Sequence, residues 1–372
     1  MQIVVAKSER DPRWVHRNQS WVNVRRHSAT YANADISKAS SADKAEIERL
    51  LSNQTTVSSR IRRAFTEAVD RLADKVDIER IRTLLEQGRV SEAIGVVDAQ
   101  LVSSGMQPIG AASTAATVWA GQQAALALSA SFAPGEVQFH FGITNPETVR
   151  YLQNYEMALI RGLTAGALAS VRLAIADGVA AGRNPLDVAR DVRQFIGLTP
   201  SQTKAVLNYR RALESLDAGA LQRQLRDRRF DGTISDAVDS GERLSPDYID
   251  KLVERYRQRT LKFRSETIAR TEAIRAVNAG NVQLWRQAVA DGKVDADGVR
   301  KKWIYTHDSR VRHAHMTIPS LNEGGVGLNE PFKTELGPLM FPGDPNGTAA
   351  NTIRCRCAMM IRYRAPAQRQ DA

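Results

Sequence analysis

The sequence predicts a mainly α protein, an extended multi-helix N-terminal and central region followed by a small α+β C-terminal module. Three observations carry this reading. From Ser41 onward apolar residues recur three and four apart, the period of amphipathic helices, and strand-like alternation is nearly absent before residue 300. Start signals that pair a capping side chain with proline recur at Asn145-Pro146, Thr199-Pro200 and Ser245-Pro246. After Gly298 the texture changes: Lys302-Trp303-Ile304-Tyr305-Thr306 reads as a strand, and the residues beyond it are rich in glycine and proline turns.

Residues 1–40 read as an N-terminal basic arm, with Trp14 and Trp21 set among Arg10, Arg13, Arg17, Arg25 and Arg26. Tryptophan anchors and arginine charge partners suit docking on another subunit or along nucleic acid, and equally a tail packed on its own domain. Residues 41–133 form an N-terminal helical region, with helices expected near 41–74, 77–87, 91–105 and 110–131. Phe132-Ala133-Pro134-Gly135-Glu136 breaks the pattern, and the alternation Val137-Gln138-Phe139-His140-Phe141 predicts a short extended piece in which His140 is structural.

Residues 134–298 read as a central helical domain. Asn145 caps a long alanine-rich helix running from Glu147 to about Ala181, and Gly182-Arg183-Asn184-Pro185 turns into another that ends near Gly197. Thr199-Pro200 opens a helix through Tyr209, and the polar stretch 222–243 reads as a loop or short helical connection. In the helix capped by Ser245-Pro246, Lys251, Arg255, Arg257, Arg259, Lys262 and Arg264 outnumber Asp250 and Glu254. So lopsided a stripe is either a solvated face or a contact surface for phosphates or an acidic neighbour; Arg255, Arg259 and Lys262 are its contact candidates.

Composition narrows the class. A chain of 372 residues with 42% hydrophobic side chains can bury a core in two or three domains. A formal charge of +11 favours polyanionic partners. Two cysteines are too few for a disulfide-stapled secreted scaffold and fit a reducing compartment, and their one-residue separation would strain a disulfide between them. The N-terminus lacks the pattern of a secretion signal, and Gln122 and Gln123 interrupt the apolar stretch Ala111–Ala133, which argues against a membrane span.

The chemistry-bearing residues cluster in residues 299–372, the C-terminal module. Three of the six histidines and both cysteines lie beyond residue 306. If His313 and His315 sit on an extended segment they point to one side, as do Cys355 and Cys357, and the four groups together make a tetrahedral zinc candidate. The one-residue spacing is looser evidence than a zinc-knuckle spacing; the alternative is buried thiols acting as small hydrophobes beside histidines bonded within a loop. Asp308 with Arg310 and Arg312 reads as a charged loop network, and acid, histidine and cysteine together are also the parts of a metal-dependent hydrolase or nuclease, or of a toxin-like effector. No nucleophile elbow or phosphate-cradling glycine loop accompanies them, and acidic groups in this region are too scattered for a nuclease metal site.

One ordered set of residues resembles the Mu F-like minor head proteins of tailed bacteriophages. It comprises Glu266-Thr267-Ile268-Ala269-Arg270-Thr271-Glu272, Asn278-Ala279-Gly280, Trp285, Trp303, Asp308, Val311-Arg312, His315, Phe332, Pro342-Gly343-Asp344-Pro345 and Cys355-Arg356-Cys357. Gly182, Asn184-Pro185 and Gly197-Leu198-Thr199-Pro200 are similar to the helical part of such proteins. The resemblance implies a non-enzymatic virion protein of the head interior near the portal, present in the host cytoplasm during assembly. Its implied partners are the portal protein, the major capsid or scaffolding protein and DNA phosphates, with no membrane and no cofactor beyond a candidate zinc. Arg354 stands where the family often has asparagine, and His313 is extra to the pattern, so the resemblance leaves His315, Cys355 and Cys357 as the metal core with Asp308 as a fourth candidate.

Overall fold

The computed structural model describes residues 14–17, 20–23, 41–131, 137–305 and 310–364. It is mainly α with a small C-terminal α+β module, as the sequence predicts. Most of the N-terminal arm, the break at 132–136 and Asp308 lie outside the described residues. Of the arm, strands β1 (Trp14–Arg17) and β2 (Ser20–Asn23) pair antiparallel, with Val15 opposite Val22.

The chain divides into two compact units, residues 53–287 and residues 1–52 with 288–372, the divisions falling inside helices α1 (Ser41–Lys75) and α9 (Pro246–Ala290). Residues 53–133 and 134–287 thus lie in one unit, and 41–52 and 288–298 in the other. The other helices of the first are α2 (Ile78–Glu86), α3 (Val90–Ser104), α4 (Gln107–Ser129), α5 (Pro146–Ala180), α6 (Pro185–Phe195), α7 (Pro200–Glu214) and α8 (Asp231–Ser240).

The starts of α2, α5, α6 and α7 are set by side chains that satisfy otherwise orphaned backbone N–H groups. Asp77 accepts from Arg80 N, Asn145 from Glu147 N and Thr148 N, and Asn184 from Leu186 N, while Thr199 and Gln202 form a reciprocal capping box. Among the apolar clusters that hold the unit, two are formed wholly by described residues. One includes Phe65, Leu84, Ile109, Val171 and Ile175; the other includes Leu207, Tyr209, Leu252 and Tyr256. Helix α5 packs on α3, α4, α6 and α7. Its most apolar 18-residue window has mean hydropathy 1.5, which makes it the one helix among the described residues long and apolar enough to cross a membrane.

Between Thr271 and Gln287 all residues of α9 are buried except Arg275 and Arg286, which are half-buried. Gly280 permits this enclosure: a Cβ there would lie 2.6 Å from Thr117 O and 2.7 Å from Gly121 N on α4. Gln287 at its end bonds to the segment that precedes α5 and to its first turn. Gln287 Nε2 donates to Thr148 Oγ1 (2.8 Å) and Gly142 O (3.0 Å), and its Oε1 accepts from Gly142 N (2.8 Å).

The short extended piece expected at 137–141 pairs with no strand. Phe139 and Phe141 are buried and His140 exposed, as the alternation requires, but no strand forms. The backbone bonds to the side chains of Gln287 and Ser129 instead of a neighbouring strand. The polar stretch 222–243 is a short helical connection, with a 3-10 turn at Arg228–Phe230 and the whole of α8.

In the other unit, β3 (Val299–Ile304), β4 (Val326–Gly327) and β5 (Ala358–Tyr363) form an antiparallel sheet in the order β4-β3-β5, with Trp303 opposite Met359. Three four-residue helices, α10 (His313–Met316), α11 (Ile318–Leu321) and α12 (Ala349–Thr352), interrupt the loops. The first turns of α1 pack on the sheet through Ile47, Leu51, Ile304 and Met360, and Arg362 pairs with Glu46.

Candidate functional site: a buried His-Cys-Cys cluster and a basic helix face

Strand β3 alternates inward and outward, and Val299, Lys301 and Trp303 face inward. Lys301 is fully buried: its Nζ donates to Glu330 O (2.7 Å) and Met340 O (3.0 Å) and lies 5.3 Å from the Phe332 ring centre. The lysine thereby ties the loop that carries Phe332 to the sheet. Asp344, in the Pro-Gly-Asp-Pro turn, accepts from Met340 N (2.7 Å) and Asn346 N (2.9 Å). Trp303 stands edge-on to both Phe332 (5.3 Å) and His315 (5.6 Å).

His315, Cys355 and Cys357 meet behind Trp303. All three are buried, and their ligand atoms lie within 4.8 Å of one another. His315 Nδ1 is 3.6 Å from Cys355 Sγ and 3.3 Å from Cys357 Sγ. The orientation of the ring follows from its other nitrogen. Asn351 Nδ2 donates to Thr334 Oγ1 (3.0 Å) and Gly337 O (3.2 Å), which turns Oδ1 toward His315 Nε2 at 2.8 Å. An amide oxygen only accepts, so Nε2 carries the proton and the Nδ1 lone pair faces the two sulfurs.

Burial alone would raise the Cys355 thiol, but the hydrogen bond with Cys357 leads in outweighing it and holding Cys355 well below the ordinary thiol range. Burial and the hydrogen bond to Cys355 push Cys357 well above that range. Zinc–sulfur bonds of about 2.3 Å and zinc–nitrogen bonds of about 2.0–2.1 Å at a tetrahedral angle give sulfur–nitrogen edges of roughly 3.5 Å. The observed 3.3 and 3.6 Å fit that edge, and the Asn351 oxygen on Nε2 holds the imidazole in the orientation and tautomer such a ligand needs.

His313 does not join the cluster. Residues 313–316 are helical, so positions two apart diverge by about 200° around the axis instead of sharing a side. The His313 side chain is exposed, 3.8 Å from Glu335. Asp308 lies outside the described residues. Sequence reasoning missed Asn351 and Lys301. The strand alternation Val299, Lys301, Trp303 carried a signal for the lysine, whereas nothing local to Asn351 announces its partner.

The basic stripe of α9 is largely engaged within its own unit. Arg257 pairs with Glu254 (2.5 Å), and Arg264 is buried and donates to Gly197 O (2.8 Å). Burial lowers the Arg264 guanidinium to about 10. Arg255 (3.4 Å) and Arg259 (3.1 Å) converge with Arg229 (2.6 Å) on the single buried carboxylate of Asp227. The side-chain hydrogen bond from Arg229 leads in drawing that carboxylate down to about 2. Lys262 is exposed.

Residues 228–360 match the family described as Phage Mu protein F like protein. No curated protein and no solved structure matches the chain. The match takes in the Arg229–Phe230 turn, the enclosed stretch of α9, the Trp303–Phe332 pair, the Asp344 turn and the His-Cys-Cys cluster; the similarities noted at Gly182 and Gly197 fall outside it. Over residues 228–360, about a third of its length, the chain is thus similar to the phage Mu F-like family, which supports a phage Mu F-like head-morphogenesis protein.

Proposed function

We propose that the protein is a non-enzymatic minor head protein acting inside the phage head at the portal vertex, where it binds the portal protein and a capsid or scaffolding protein and touches packaged DNA through phosphates. The observation that supports this best is the inward direction of the chemistry in the family-matched segment. His315, Cys355 and Cys357 are 1%, 1% and 0% exposed, and their partners Asn351 and Trp303 are buried with them. A catalytic metal keeps an open position and a catalytic thiol needs access, whereas a structural site is closed by its own ligands. In this reading His315 Nδ1 and the two sulfurs hold a structural zinc that joins α10 to the segment leading into β5.

The test is co-expression of the full chain with the portal protein of the same genome, followed by capture of either, and protein analysis of purified heads. The chain should co-purify with portal and be present in heads at low copy. Its absence from both heads and portal complexes would overturn the proposal.

A further inference from the structure

We infer that the turn Asp227–Phe230 and the adjoining face of α9 form one phosphodiester-binding surface for duplex nucleic acid. The inference rests on the DNA contact proposed above and assigns it to specific residues. Its starting point is an imbalance: the guanidinium groups of Arg229, Arg255 and Arg259 share the one carboxylate of Asp227, leaving two positive charges uncompensated at the cluster. The nearby acids are committed elsewhere, Asp231 to Arg226 (2.7 Å) and Glu254 to Arg257 (2.5 Å).

The excess is also ordered. Lys251, Arg255, Arg259 and Lys262 follow at intervals of four, four and three residues, which places them along one face of α9. Phe230 collects cations from both elements: Lys251 and Arg255 lie 5.4 Å from its ring centre and Arg229 lies 5.9 Å away. Phe230 is itself held edge-on by Tyr248 at 6.0 Å. The ring and the carboxylate thus fix the cations in place while neutralising only one of them. The three arginine side chains remain 69%, 38% and 44% exposed, so their unused N–H donors face solvent.

Gathering like charges costs energy that a polyanion repays, and the planar fork of arginine matches phosphate oxygens. A repeating phosphate backbone suits a row of cations along a helix better than a single anion does. Binding through phosphates carries no sequence preference and weakens with salt by about 0.9 in log–log slope for each contact.

Arg228, Lys251 and Lys262 are exposed and make no contact with Asp227, so they can be changed without unpairing it. The experiment titrates full-length wild type, Arg228→Gln/Lys251→Gln/Lys262→Gln and the conservative Arg228→Lys/Lys251→Arg/Lys262→Arg against a labelled random-sequence duplex at several salt concentrations. A control, Arg62→Gln/Arg63→Gln/Arg161→Gln, removes the same charge from exposed positions elsewhere in the unit.

The glutamine triple should melt like wild type, bind at least tenfold more weakly and lose about 2–3 from its salt slope, while the conservative triple and the control stay near wild type. An equal loss in the control, an unchanged slope in the glutamine triple, or preference of wild type for polyglutamate over DNA would overturn the surface. Portal capture of the same variants separates the two readings, because a failed DNA surface leaves portal binding intact.

Discussion

In the unit of residues 53–287, long helices with an apolar period pack on one another, and buried polar groups are additions to a frame already specified. In the C-terminal module the helices are four residues long and the strands two to six. Elements that short do not hold themselves, since a helix below about 12 residues is marginal alone and an isolated strand pair no better. There the frame is made by particular side chains: Lys301 under the Phe332 loop, Asp344 in its turn, Asn351 behind His315, and the cysteine pair. Stability in the helical unit is therefore distributed, and stability in the module is concentrated in a few atoms.

Lys301→Met gives the largest effect expected from that contrast. It strips charged donors from two carbonyls inside the module and should cost about 3 kcal/mol in denaturant unfolding. A loss below about 1 kcal/mol would make the module as forgiving as a helical surface.

Gly280→Ala probes the helical unit at the point where it too is exacting. The added methyl meets α4 backbone atoms and should cost roughly 2 kcal/mol despite alanine's better helix propensity, read as a fall in melting temperature. No change would mean that α4 and α9 separate at little cost.

The third effect is a pH dependence. Asp227 is drawn from 3.8 to about 2, a folded value below the unfolded one. Its contribution is fully present above pH 3.8 and is lost as pH falls through 2. Asp227→Asn should therefore flatten the fall in stability between pH 4 and 2 relative to wild type. Parallel curves would show that the three arginines gain nothing from the charge.

The smallest effect should be a gain. Arg354 has φ of +55°, a left-handed conformation that asparagine adopts more readily than arginine. Arg354→Asn should stabilise the module by about 0.5 kcal/mol, seen as a small rise in denaturant midpoint. This gives a physical reason for the asparagine common at this place in the resembling family.

The same contrast explains what could be read from the sequence. Caps at Asn145, Asn184 and Thr199 are local signals, and the helices they open begin where those residues place them. The cysteine pair and His315 could be named because histidine and cysteine are few and cluster. The partners that orient them could not: Asn351 lies 36 residues from His315 and no local pattern connects the two. At 137–141 the alternation of buried and exposed residues was legible, but the bonds that anchor the piece, from Phe139 N to Ser129 and from Gly142 N to Gln287, were not. Local periodicity reports what an element buries, not what its polar atoms meet.

The central claim is that the His315-Cys355-Cys357 cluster is closed and structural. Its most direct test is the rate at which a small thiol reagent labels the native full-length chain, with and without a zinc chelator. The account predicts slow labelling of both cysteines, limited by opening of the module and accelerated by the chelator. Rapid labelling of Cys355 in the native chain, unaffected by chelator, would contradict it and mark that thiol as an accessible nucleophile.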